Sequence, residues 1–162
     1  MNIDSLLHQR LVCVAVIEKP DDAVPLTEAL LAGGLNCIEV TFRTAGAAES
    51  IARIRKALPN AIVGAGTLLT ADQVKQAVAA GAQFGVSPGL SPAVSKTAQE
   101  NKFPLFPGVI TPGEIMRALE LGWQHLKFFP AETFGGVNAL KSLIELTAFL
   151  SPGSKKLQKT FA

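Results

Sequence analysis

Six apolar runs alternate with helix-patterned segments along this chain, at a repeat of about two dozen residues. That alternation restricts the fold more than any other feature. The runs cover residues 11–17, 35–42, 61–64, 83–87, 104–109 and 123–129. They are apolar almost without interruption, which describes strands covered on both faces and therefore a parallel sheet clad in helices. Four helix starts are legible between them: Asp21-Asp22, Thr70-Ala71-Asp72, Ser91-Pro92 and Thr111-Pro112-Gly113-Glu114. Each sets a capping residue at the start, with proline or an acid in the first turn. Gly33-Gly34, Gly81 and Gly122 close three of the helices.

Two architectures satisfy this pattern, an open doubly wound sheet and a (β/α)₈ barrel. Polar residues sit at the C-terminal ends of several strands: Glu39 and Arg43, Thr67, Ser87-Pro88, and Lys127. A barrel gathers those ends around one mouth. A doubly wound sheet gathers ligands at one switch point, usually with glycines after strand one. Here strand one is followed by Glu18-Lys19-Pro20. The expected fold is therefore α/β of the (β/α)₈ type. Only about six βα units can be counted, so strands seven and eight are expected to be missing. Residues 1–148 read as one incomplete barrel domain and residues 149–162 as a polar, basic tail.

Composition removes several functional classes. A chain of 162 residues is one domain with ample material for a core. A net charge of +2 is too slight for nucleic-acid binding, and Lys155, Lys156 and Lys159 make only a short solvated run. No window reaches the length of a membrane span. Met1-Asn2-Ile3-Asp4-Ser5 lacks the regions of a signal peptide, so a cytoplasmic location is expected. Cys13 and Cys37 lie in apolar runs and read as buried free thiols. His8 and His125 have no ligand-like spacing, so a catalytic zinc site is not expected.

The chain has ten lysines, and only Lys127 sits inside an apolar run, in His125-Leu126-Lys127-Phe128-Phe129-Pro130. Such a lysine has little water to hold its charge, which favours the neutral amine that attacks ketones. Residues of equal parity share a strand face. Glu39, Thr41 and Arg43 form one such set and His125, Lys127 and Phe129 another. If both faces point inward, an amine, a carboxylate and a guanidinium converge. That trio suits a small 2-keto acid: the amine attacks the ketone, the guanidinium grips the carboxylate, and the glutamate moves protons. The plainer readings are a snorkelling lysine or a buried Lys127–Glu39 ion pair. Gly64-Ala65-Gly66-Thr67 reads as a tight turn or an anion-binding loop. Ser87-Pro88-Gly89-Leu90 and Phe106-Pro107-Gly108-Val109 read as turns. His125 reads as a core histidine.

Four of these segments also carry a family resemblance. Ile38-Glu39-Val40-Thr41-Phe42-Arg43-Thr44, Val63-Gly64-Ala65-Gly66-Thr67, Gly81-Ala82-Gln83-Phe84 with Ser87-Pro88-Gly89, and Leu126-Lys127-Phe128-Phe129-Pro130-Ala131-Glu132 occur in order. Together they resemble the motifs of the 2-keto-3-deoxy-6-phosphogluconate / 4-hydroxy-2-oxoglutarate aldolases, over roughly residues 5 to 142. The resemblance implies a metal-free class I aldolase on a (β/α)₈ barrel, usually a homotrimer, that releases pyruvate and an aldehyde. It implies Lys127 as the Schiff-base lysine and Glu39 as the general acid/base. It also implies Arg43 and Thr67 on the pyruvate carboxylate, with Pro88 and Phe129 lining the pocket. The likeness ends by Phe149-Leu150-Ser151-Pro152, before the segments that hold the substrate phosphate in the family. Two other readings stand beside it: a non-catalytic barrel fragment with the same residues, and a metal-dependent aldolase, which lacks its histidine and carboxylate cluster here.

Overall fold

The computed structural model describes residues 6, 8, 9 and 11–148. The tail expected over 149–162 lies outside the described residues. Six strands form one parallel sheet in chain order: β1 Cys13–Ala15, β2 Cys37–Thr41, β3 Ile62–Gly66, β4 Phe84–Ser87, β5 Leu105–Val109 and β6 Lys127–Phe128. Six α-helices alternate with them: α1 Ala23–Ala32, α2 Ala47–Ala57, α3 Ala71–Ala79, α4 Pro92–Glu100, α5 Pro112–Glu120 and α6 Gly136–Ala148. An unbroken sequential strand order has no switch point, so the doubly wound alternative does not apply.

All five residues of β2 are buried, as a strand covered on both sides requires. Its outward residues Ile38 and Val40 join Ile51 and Ile54 of α2, Val63 and Ala65 of β3, Val74 of α3 and Val94 of α4 in the core between sheet and helices. Its inward residue Cys37 meets Leu6, Phe84 and Val86 in a second, smaller core. Inside that core the rings of Phe84 and Phe106 meet edge to face at 6.1 Å. The sheet is a partial barrel, concave toward these inward residues. On β1 the residue on that inward face, Val14, which pairs with Glu39, is 57% exposed.

The helix starts show where sequence signals and structure part. Thr70 and Thr111 both form capping boxes, with Gln73 and Glu114. Ser91 caps α4 by accepting from the Val94 N–H. Asp22 precedes α1 but makes no side-chain cap bond, because its backbone is already helical and lies in a 3₁₀ turn, Pro20–Asp22. Asp21 pairs with Arg53 on α2 instead. Gly34, Gly81 and Gly122 take positive φ after their helices. Burial works against the charge of Glu114, but bonds from the Ile110 and Thr111 N–H groups outweigh it and hold the carboxyl below the usual range. Replacing Thr111 by alanine should therefore cost about 1 kcal/mol in urea denaturation, the usual worth of such a cap.

All six strands differ in their bounds from the expected runs, β1 shrinking from 11–17 to Cys13–Ala15, and three further differences shape the site. The run at 123–129 yields only two residues of strand, because β6 pairs with β5 solely through Gly108↔Lys127 and Val109↔Phe128. Trp123 packs under the helices. Gly64-Ala65-Gly66 is strand, not loop, and so is Phe106-Pro107-Gly108-Val109. Both segments carry glycine where a neighbour fills the side-chain space. The Phe84 ring lies over Gly64, and the Pro88 backbone lies against Gly108.

Candidate active site

Glu39 sits at the middle of β2 on the inward face and is 5% exposed. Burial raises its carboxyl above the ordinary value near 4.5, and the positive charges of Lys127 and Arg43 partly offset the rise. That coupling carries geometric information. Glu39 and Lys127 stand four strands apart in the sheet order. In a flat sheet four steps of about 4.8 Å would separate them by roughly 19 Å. Charges so far apart are largely screened. The sheet's curl brings the two across the concave side.

Lys127 opens β6 and is half-buried, with Nζ 4.5 Å from the centre of the Phe129 ring. The site is thus less dry at the lysine than at the glutamate, since Lys127 belongs to a strand paired on one side among the described residues. His125 is half-buried on the approach to β6, with its ring 6.1 Å from that of Phe106. Cys37, two residues before Glu39, is buried and its thiol is pushed up to about 12, by burial and then by the Glu39 charge. Such a thiol stays protonated and unreactive. Cys13 is half-buried, and neither cysteine is in a disulfide.

Arg43 does not share the strand face that parity assigned to it. β2 ends at Thr41, and Arg43 stands exposed in the following turn. Its charge still reaches Glu39. Thr41 is fully buried and its hydroxyl donates to the Ala15 carbonyl at 3.2 Å, tying β2 to β1. Thr67 follows β3 with φ of 55°, a left-handed conformation that is an outlier for a β-branched residue. It is held there from both sides. The Phe42 N–H donates to the Gly66 carbonyl at 2.8 Å, and the Leu68 N–H donates to the Val86 carbonyl at 3.1 Å. Backbone strain of this kind persists where surrounding structure imposes it, often at ligand sites. Pro88 is half-buried just past β4, in a turn fixed by the Ser87 hydroxyl donating to the Gly89 carbonyl at 2.8 Å.

Sequence reasoning missed three contributors: the strained backbone of Thr67, the buried hydroxyl of Ser87 that sets Pro88, and Gly66, against which the Glu39 carboxylate lies. The Ser87-Pro88-Gly89 spacing was a usable signal for the second. Nothing local signals the other two.

A curled parallel α/β sheet that sets a lysine and a buried carboxylate within its strands, with an arginine in the turn after one of them, belongs to the class of barrel-type folds, which keep their chemistry toward the C-terminal rim. Comparison with known proteins narrows this. The family described as KDPG and KHG aldolase matches residues 3–150, and the chain belongs to that family. It is 48% identical over 140 residues to the 2-dehydro-3-deoxy-phosphogluconate aldolase of Treponema pallidum, covering 86% of this chain and 67% of that protein. It is 47% identical over 130 residues to the KHG/KDPG aldolase of Escherichia coli K12, covering 80% of this chain and 61% of that protein. The chain thus spans 61 to 67% of the length of these curated relatives. Among solved structures it resembles the 2-keto-3-deoxy-6-phosphogluconate aldolase of Zymomonas mobilis ZM4 with 3-phosphoglycerate. That match has a TM-score of 0.86 and 44% identity, over 99% of this chain and 73% of the other. The KDPG aldolase of Legionella pneumophila, with pyruvate captured as a covalent carbinolamine, matches with a TM-score of 0.87 and 36% identity, over 100% and 75%.

Proposed function

We propose that this chain is a class I aldolase, or the bulk of one. Its reaction is cleavage of 2-keto-3-deoxy-6-phosphogluconate or 4-hydroxy-2-oxoglutarate to pyruvate and an aldehyde. The observation that carries the reading is the buried Glu39 carboxyl that feels both Lys127 and Arg43 across the curled sheet.

In the reaction the Lys127 amine adds to the substrate C2 ketone. Glu39 supplies the proton with which the carbinolamine hydroxyl leaves as water. The resulting iminium is the electron sink. Glu39, now ionised, takes the proton of the C4 hydroxyl as the C3–C4 bond breaks, and that electron pair enters the iminium to give an enamine. The aldehyde leaves. Protonation of the enamine at C3 and hydrolysis of the imine release pyruvate and restore the amine. Arg43 and Thr67 hold the carboxylate, and Pro88 and Phe129 line the methyl side. The imine does the work of a Lewis acid, so the chemistry calls for no metal or organic cofactor.

The carbinolamine captured in the Legionella relative is the kind of adduct this scheme requires. In the same reading residues 1–148 are the greater part of a (β/α)₈ barrel. The exposed inward Val14 of β1 stands where further strands would cover it. The chain works in the cytoplasm, as a homotrimer by family resemblance.

Borohydride added in the presence of pyruvate tests this. A reduced pyruvyl group should be found on Lys127 by peptide mass spectrometry, and size-exclusion chromatography of the same sample should report a trimer. An unmodified Lys127 would favour the non-catalytic fragment.

A further inference from the structure

Gly66 has no backbone reason to be glycine. It lies within β3, and it is absent from the residues with positive φ. Glycine weakens a strand interior, so its presence there asks for a spatial cause. The cause is visible. A Cβ at Gly66 would come within 2.6 Å of Glu39 Cδ and 2.7 Å of Cγ, and closer still to Oε1. The carboxylate of Glu39 therefore occupies the volume a side chain on β3 would fill. The strand cannot retreat to make room, because the Gly66 carbonyl is bonded to the Phe42 N–H and the following Leu68 N–H is bonded to β4. Gly64 is open for a different reason, since the Phe84 ring fills it.

We infer that Gly66 is a positioning residue for the reaction, its missing side chain forming the slot that fixes the Glu39 carboxylate. The inference rests on the Schiff-base reading above for its catalytic consequence, but the slot itself can be measured without any turnover. Filling the slot displaces a flexible side chain, not backbone, so the fold survives and the carboxylate swings out. Lys127, on β6, keeps its place. The nucleophile and the proton carrier are thus separable by one methyl group.

The test is Gly66→Ala. Borohydride trapping of pyruvate on Lys127 should persist, while kcat falls about 100-fold, the scale of a lost general acid/base, with KM little changed. The charges that act on Glu39 are those of Lys127 and Arg43, and the neighbouring Cys37 thiol is uncharged, itself raised by burial and by Glu39. A carboxylate moved into water loses the burial that raises it, so the acidic limb of the residual rate should move to lower pH. Full kcat, or an acidic limb that stays in place, overturns the inference. Melting temperatures supply a readout free of catalysis. Gly66→Ala should lower the melting temperature of the wild type but change it little in a Glu39→Ala background, where the slot is empty. Equal losses in both backgrounds overturn the inference, also where Gly66→Ala alone fails to fold. Should the unaltered chain neither trap pyruvate nor turn over, the aldolase reading fails while this melting cycle still decides the slot.

Discussion

Lys127→Met should abolish the borohydride-trapped pyruvyl adduct and lower turnover by about 10³-fold or more, the scale on which a lost covalent nucleophile acts. No other lysine among the described residues can substitute. Lys19, Lys56, Lys75, Lys96, Lys102 and Lys141 are all exposed, and none lies on a strand. The fold should not suffer. Methionine matches the lysine stem in length, and its thioether suits the Phe129 ring that Nζ now faces at 4.5 Å. Urea midpoints equal to or above the wild type are expected. A second consequence separates a catalytic lysine from a decorative one. Lys127 lowers the Glu39 carboxyl against the effect of burial. Without it Glu39 should titrate higher, which ¹³C-labelled glutamate would report by NMR. A pyruvyl adduct surviving on the variant would remove Lys127 from the mechanism. An unmoved Glu39 titration would show that the two groups do not share a field.

The strands covered on both sides were the readable part of this chain. β2, β4 and β5 are buried over most of their lengths, so their apolar runs mark them directly. Helix starts with a hydroxyl cap were readable for the same local reason, at Thr70, Ser91 and Thr111. Other features depend on neighbours that a linear reading does not see. The length of β6 is set by how many partners β5 offers, and that number is two. Gly64 and Gly66 look like a turn until Phe84 and Glu39 are placed across from them. α2 begins at Gly46 with no side-chain cap, and Gly46 is there because the Pro20 ring crowds its Cα. In the site, parity grouped Glu39 with Thr41 correctly because both lie within β2. It misplaced Arg43 because β2 had already ended. The left-handed Thr67 is imposed by bonds to strands on either side and leaves no trace in its own sequence.

Glu39→Gln should separate stability from activity. Turnover should fall about 10²- to 10⁴-fold, as expected when a positioned proton carrier is lost. Glutamine keeps the length and shape of the side chain, so it fits the same slot over Gly66, and trapping on Lys127 should remain detectable. Stability should move the other way at neutral pH. The Glu39 carboxyl is raised in the folded protein by burial, with Lys127 and Arg43 reducing the rise. Below the ordinary value near 4.5 both folded and unfolded chains hold this proton, and Glu39 costs nothing. As pH climbs past that value the unfolded chain releases the proton first, so the folded state loses relative stability. The loss stops once the folded carboxyl has also ionised, and it remains constant above. Glutamine has no such transition. The gap between variant and wild type should open as pH rises past the ordinary carboxyl value near 4.5, with the variant the more stable, and level off once the folded carboxyl has ionised. Urea midpoints across that range measure it. A variant that is no more stable at high pH than at low would mean that Glu39 bears no net burial cost. A fold that accepts this cost keeps a carboxyl able to hold a proton higher up the pH scale than a carboxylate in water, which is what a group that must both give and take one in a single turnover requires.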